Sequence, residues 1–188
     1  MNYELSIMNY FNHSLKSIIM FTSLNLRYAD AKAYLWAAVF IVGNLLFPFV
    51  CHLVPAAGVG KMLLPIYFFT LIAAYKFGWR VGLATAILSP LANSLLFGMP
   101  LAIALPAIMT KSVLLVLFAS LVASRTQKLS VLHLLAVVVA YQVVGSALEM
   151  LLYQSVAAGF ADFTLGWSGM FLQVVGGYFV LKALAKLQ

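Results

Sequence analysis

Apolar residues fill long, nearly unbroken runs of this chain, and the polar positions between them fall in short clusters. Hydropathy predicts six membrane spans, at residues 33–50, 63–75, 81–97, 102–123, 131–157 and 163–184. The second is short. The fifth exceeds the ~20 residues that a bilayer needs, which predicts tilt or extension beyond the hydrocarbon. Turn residues mark the connections: Pro55, Gly58 and Gly60 after the first span, Lys76-Phe77-Gly78-Trp79-Arg80 after the second, Gly98-Met99-Pro100 after the third, and Arg125 to Lys128 after the fourth. The expected fold is all-α, a polytopic six-helix bundle over residues 29–188 behind an interfacial tail at 1–28. The tail is partly amphipathic from Leu15 to Leu26, which suits a membrane surface. Asn2 and Glu4 stand where a signal peptide has its basic region, and no small-residue cleavage site follows; Met8 and Met20 are alternative starts.

Six spans put both termini on one side. Lys16, Arg27, Lys32, Lys76, Arg80, Arg125, Lys128, Lys182 and Lys186 then share that side, while Lys61 falls opposite and Lys111 within the membrane. The positive-inside rule makes the shared side cytoplasmic, which places the chain in the cell's inner membrane with both termini inside. The composition agrees: the 188 residues are 65% hydrophobic and 8% charged, and mean hydropathy is +1.07. That length is one domain's worth and leaves no room for a sizeable water-soluble unit. The net charge of +7 is spread over short clusters between spans without a nucleic-acid-binding motif, so no nucleic-acid partner is expected. Cys51 is the single cysteine, which excludes an intrachain disulfide and a cysteine-based metal cluster.

Against this background Lys111 and Glu149 stand out, because each sits inside an apolar span. A charge at membrane depth costs roughly 3 kcal/mol on insertion scales, so it persists in a cavity or beside a partner. Two readings follow: a polar pocket for a small solute, or a structural interhelical ion pair. Depth favours the pocket. Asn44, Tyr67, Asn93, Ser94, Tyr153 and Gln154 fall in the outer half of the predicted bundle, with Gln173 near mid-depth. Singly, such residues act as interhelical glue worth ~0.6 kcal/mol; their shared depth is what an importer's capture site requires. Asn93, Tyr67, Tyr153 and Gln173 thus join Lys111 and Glu149 as candidate contacts.

Other motifs carry less. Ala29, Ala33 and Ala37 recur every four residues and form a flat stripe that lets a helix approach closely; Gly78/Gly82 and Gly176-Gly177 are of the same kind. Pro90, after Ser89, and Pro106 interrupt predicted spans and free backbone carbonyls that a cavity or a neighbour must satisfy. His52 and Met99 sit at the outer ends of spans, either as ligands to a haem or cobalt centre or as an interfacial polar residue and an apolar plug. GxSxG, HExxH, CxxC and Walker A motifs are absent, and the 4 acidic residues are far apart in the chain. Neither catalysis nor a resident cofactor is expected, and uphill transport would need energy from a partner or an ion gradient.

The strings Leu64-Pro65-Ile66-Tyr67-Phe68-Phe69, Tyr75-Lys76-Phe77-Gly78-Trp79-Arg80-Val81-Gly82 and Ser89-Pro90-Leu91-Ala92-Asn93-Ser94-Leu95-Leu96-Phe97-Gly98-Met99-Pro100 resemble the substrate-binding S components of energy-coupling factor (ECF) transporters. The resemblance is strongest from Leu64 to Lys111. It implies a six-helix bundle that captures a vitamin or related micronutrient from outside. Loop one (Cys51 to Lys61) and the Gly98-Met99-Pro100 turn would then be gates. The alanine stripe would dock on a transmembrane T component driven by two ATPases. Two other classes remain: an MreD-like scaffold of cell-wall elongation, needing no solute, and an autonomous secondary carrier, against which the absence of an obvious inverted repeat counts.

Overall fold

The computed structural model of the chain describes residues 19–20, 23–24, 27, 30–53 and 65–185, the side chains at 19, 20, 49, 51–53, 158, 161 and 162 excepted. Seven helices are described: α1 (Ala31–Leu53), α2 (Pro65–Phe77), α3 (Trp79–Phe97), α4 (Leu105–Thr126), α5 (Val131–Tyr153), α6 (Val156–Leu165) and α7 (Trp167–Ala185). Five apolar helical stretches among the described residues are long enough to cross a membrane: Ala31–Pro48, Trp79–Phe97, Ala102–Thr126, Val131–Tyr153 and Trp167–Ala185. The protein is a multi-pass helical membrane protein, and its exterior shows why. Leu35, Val39, Val42, Leu46 and Val50 repeat every three or four residues along α1 and are exposed, as are Leu132, Leu135, Val139 and Val143 along α5. Asn44, Lys111, Gln142 and Gln173 are buried. An apolar outside around a partly polar inside is stable against lipid, not water.

The predicted second span is the helix that differs from the expected spans. α2 has 13 residues, about 20 Å at 1.5 Å per residue, short of the ~30 Å hydrocarbon. Nearly all of it is buried, and it packs against α1, α3, α4 and α7. A helix apolar on every side belongs at the centre of a bundle. Small residues let its neighbours close in. A Cβ on Gly82 of α3 would lie 2.7 Å from the Cβ of Ala74, and one on Gly176 of α7 would lie 3.1 Å from the Phe68 ring.

The long fifth span divides. α5 ends at Tyr153 because Gln154 adopts a left-handed conformation (φ 49°, ψ 35°), and α6 starts afresh at Val156. The final helix begins at Trp167, not at Phe163. Pro106 breaks nothing: it lies in the first turn of α4, where a missing N–H has no helical partner to lose. The carbonyl of Ala102, which Pro106 cannot reach, accepts from the Leu105 N–H in a 3-10 turn over Ala102–Ala104.

Two described segments ahead of α1 are held against the bundle. Ile19–Met20 (β1) pairs antiparallel with Lys128–Leu129 (β2) in the α4–α5 connection, and the Leu24 N–H donates to the Lys76 carbonyl at 2.8 Å. Ala29 lies outside the described residues. Ala33 and Ala37 are core, with only 3% and 7% of their surface exposed. They share a face with Phe40 and Asn44, and on that side Phe40 meets Phe77 and Asn44 meets Thr70 and Ser89. Ala33 and Ala37 therefore belong to an internal packing face, not to the free docking surface expected from sequence. Ala37→Leu should overpack that face and destabilise the isolated protein by roughly 1–3 kcal/mol. Thermal unfolding in detergent tests this; an unchanged midpoint would show that the stripe has room to spare.

Candidate functional site

Lys111 lies in the second turn of α4 and Glu149 in the last turns of α5, so these antiparallel neighbours bring the two to one level. They form a direct ion pair between Nζ and Oε2. Lys111 is 2% exposed and Glu149 18%, so the pair is closed on the lysine side and open on the carboxylate side. Gly145 makes the seat. A Cβ there would stand 2.6 Å from Cγ of Lys111 and 3.3 Å from its Cε. The lysine stem thus crosses α5 where the helix has no side chain. An open groove of about 310 Å³ on the outer side of α4 and α5 is lined by Thr110, Leu148, Leu151 and Leu152, and neither charged residue lines it. Thr110 and Leu148 immediately precede the two charged residues in the chain.

The remaining sequence candidates separate into three places. Asn93 belongs to a helix-joining network. Pro48 lacks the N–H that would cap the Asn44 carbonyl in α1, and the Asn93 side-chain amide donates to that carbonyl at 2.9 Å. The Asn44 amide in turn donates to Thr70 Oγ1 and Ser89 Oγ, both at 3.1 Å, so α1, α2 and α3 are tied together at one point. Tyr67 and Gln173 meet through Tyr141. The Tyr67 and Tyr141 rings lie 5.6 Å apart, and the Tyr141 hydroxyl donates to Gln173 Oε1 at 2.8 Å. Tyr153 reaches the third place: its hydroxyl donates to the Ile103 carbonyl at 2.7 Å and pins the end of α5 to the α3–α4 connection.

That connection holds the predicted gate residues. Gly98 caps α3 in a left-handed conformation (φ 67°) and its N–H donates to the Ser94 carbonyl. Met99 is exposed and is followed by a cis bond to Pro100. Leu95, Leu96, Leu101 and Ile103 around it are also exposed, so the tip is apolar. His52 lies in the last turn of α1, and its side chain lies outside the described residues.

Sequence reasoning missed Gln142, Gly145, Ser146 and Ser112. Gln142, Gly145, Ser146 and Glu149 follow the i, i+3, i+4, i+7 spacing of one helical face, and Ser112 adjoins Lys111. The Gln142 amide, the Ser112 and Ser146 hydroxyls and the Gln173 Nε2 are buried with no hydrogen-bond partner among the described residues. The spacing was readable; the missing partners were not.

The ion pair itself adds little net stability, but removing one member of such a pair costs about 3–5 kcal/mol, whereas replacing both is often neutral. Gly145→Ala should therefore push the Lys111 stem off its seat and destabilise the protein by roughly 1–3 kcal/mol. The same substitution should cost distinctly less when Lys111→Ala and Glu149→Gln accompany it. A double-mutant cycle on unfolding in detergent reads this coupling, and additive effects would mean that Gly145 does not seat the lysine. No family model matches the sequence, and neither the characterised proteins nor the solved structures contain a significant match. What stands is a multi-pass helical membrane protein with a cation–carboxylate pair between α4 and α5 whose lysine is buried.

Proposed function

We propose that this chain is the solute-capturing membrane subunit of an ECF-type transporter, importing an organic micronutrient that carries an anionic group. Partner ATPases would supply the energy through a transmembrane T component. The observation that carries the reading is the Lys111–Glu149 pair inside the apolar bundle, on two helices that also carry buried polar side chains without partners among the described residues. Lys111 would hold the anionic group, and Glu149, the more exposed member, would be displaced or would contact a basic group of the solute.

In this reading α2 counts as a sixth, central element at membrane depth, and both termini are cytoplasmic. The clustering of basic residues supports this: the ends of α2 and α4 that carry Lys76 and Arg125 adjoin the β1–β2 ladder with Lys128, and β2 also touches α7. The T component is not assigned to Ala33 and Ala37, which are core residues here. One observation favours the scaffold reading. The two charges already neutralise each other, which suffices for a structural tie between α4 and α5.

One comparison separates the two. Wild type and the paired variant Lys111→Met with Glu149→Gln, which removes both charges and keeps the bulk, are purified from host membranes in mild detergent. Mass spectrometry then reads their small molecules and proteins. The transporter reading expects an anionic metabolite with the wild type, depleted at least about tenfold in the variant, and two ATPases with a multi-pass partner in both samples. Identical small-molecule contents, or cell-wall proteins in place of ATPases, would move the assignment to the scaffold.

A further inference from the structure

From Leu95 to Leu105 the chain leaves α3, reverses and enters α4 without one polar side chain. Leu95 is 84% exposed and Ile103 74%, and Leu96, Met99 and Leu101 are exposed with them. Consecutive helix positions such as Leu95 and Leu96 point about 100° apart, so the end of α3 is bare on more than one face. A protein partner covers one face of a helix; hydrocarbon surrounds all of them. The backbone of the turn is also suited to a place without water. The Gly98 N–H donates to the Ser94 carbonyl and the Ala104 N–H to that of Leu101, while the Ala102 carbonyl accepts from Leu105. Continuing that 3-10 pattern, the Ile103 carbonyl would take its donor from residue 106, but Pro106 has no N–H. The Tyr153 hydroxyl crosses from α5 and donates to it at 2.7 Å. Pro100 likewise brings no donor that needs a partner.

Length gives the depth. α3 has 19 residues, about 28 Å at 1.5 Å per residue, so even an upright α3 falls short of the ~30 Å hydrocarbon. Its other end is the one fixed at a membrane surface. Trp79 is exposed there, and the Arg80 guanidinium lies 4.7 Å from the centre of its ring. A tryptophan and an arginine stacked in this way belong at headgroup level. A helix held there ends before it passes the far headgroups, and tilt shortens its reach further. We infer that the α3–α4 turn, Leu95 to Ile103, is a lipid-contacting surface embedded among the acyl chains of the leaflet opposite Trp79 and Arg80. The cross-helix bond from Tyr153 lets the turn lie there, because it supplies the donor that water supplies to an exposed turn. A water-borne solute would then not pass over this turn, whatever the bundle carries. The inference goes beyond the solute-capture reading and does not depend on the Lys111–Glu149 pair.

Single reporter thiols test this. Cys51 is the one cysteine of the chain, so Cys51→Ser is the background. Met99→Cys and Leu101→Cys report on the turn, and either suffices if the other fails to fold. Lys128→Cys, at an exposed position in β2 beyond the far end of α4, is the reference. The full chain is reconstituted in phosphatidylcholine vesicles, and a charged maleimide is supplied on both sides of the membrane. The thiols at 99 and 101 should react at least about tenfold more slowly than the one at 128, because hydrocarbon excludes both the reagent and the thiolate. Labelled instead with a small fluorophore, positions 99 and 101 should be quenched by phosphatidylcholine that carries a nitroxide on its acyl chain, and position 128 should not. Reaction at 99 and 101 as fast as at 128 would place the turn in water and overturn the inference. Slow reaction without quenching by the acyl-chain nitroxide would overturn it as well, since protein and not lipid would then cover the turn.

Discussion

Hydrocarbon offers no hydrogen-bond partner, so a polar group inside this bundle is costly unless the protein supplies one. Much of the interior follows from that demand. Pro48 removes an N–H from α1 and thereby strands the Asn44 carbonyl; Asn93, from α3, supplies the missing donor. The side chain of Asn44 then ties in Thr70 of α2 and Ser89 of α3. A local defect in one helix has become the point where three helices are registered against one another. The same demand accounts for Lys111, whose ammonium is neutralised by Glu149 and whose stem lies over Gly145.

Packing around α2 meets a second demand, that close approach be possible without a hydrophobic effect between helices. α2 is wrapped on all sides, and Ala73 and Ala74 in it are fully buried. Gly82 and Gly176 present bare backbone to it. Ala33 and Ala37 work the same way from α1. Small residues in a membrane helix mark a close contact, but spacing alone does not say whether the contact is with the same chain or another. Here the continuity of the Ala33, Ala37, Phe40 and Asn44 face decides for the same chain, because Phe40 and Asn44 have partners in α2 and α3.

The sequence made the membrane class, the apolar helices and the two intramembrane charges legible, because each depends on composition along one helix. Whether Lys111 and Glu149 meet depends on how α4 and α5 are rotated about their axes, which no single helix encodes. The same limit applied to Asn93. Its outer-half depth was readable, while its partner was a carbonyl stranded by a proline in a different helix. The break at Gln154 shows in the sequence only as the short polar step Tyr153-Gln154-Ser155, which neither glycine nor proline marks and after which the apolar run resumes at Val156. A glutamine with positive φ is uncommon, and here it directly follows Tyr153, whose hydroxyl bonds the Ile103 carbonyl.

The distribution of satisfaction across the interior argues about function. If the polar residues were there only to hold helices together, α4 and α5 should resemble the α1–α3 junction, where all but one of the buried polar side-chain atoms are paired. Instead α4 and α5 carry, besides a neutralised charge, a glutamine amide and two hydroxyls that nothing in the described chain engages. A purely structural tie gains from packing apolar groups at those positions, since unpaired polar groups oppose burial. A binding site has reason to keep them, because groups left unsatisfied without ligand contribute their interaction energy only when the right ligand arrives. The asymmetry of the pair fits the same logic: the cation is fixed on a glycine seat, and its carboxylate partner is the member with room to yield.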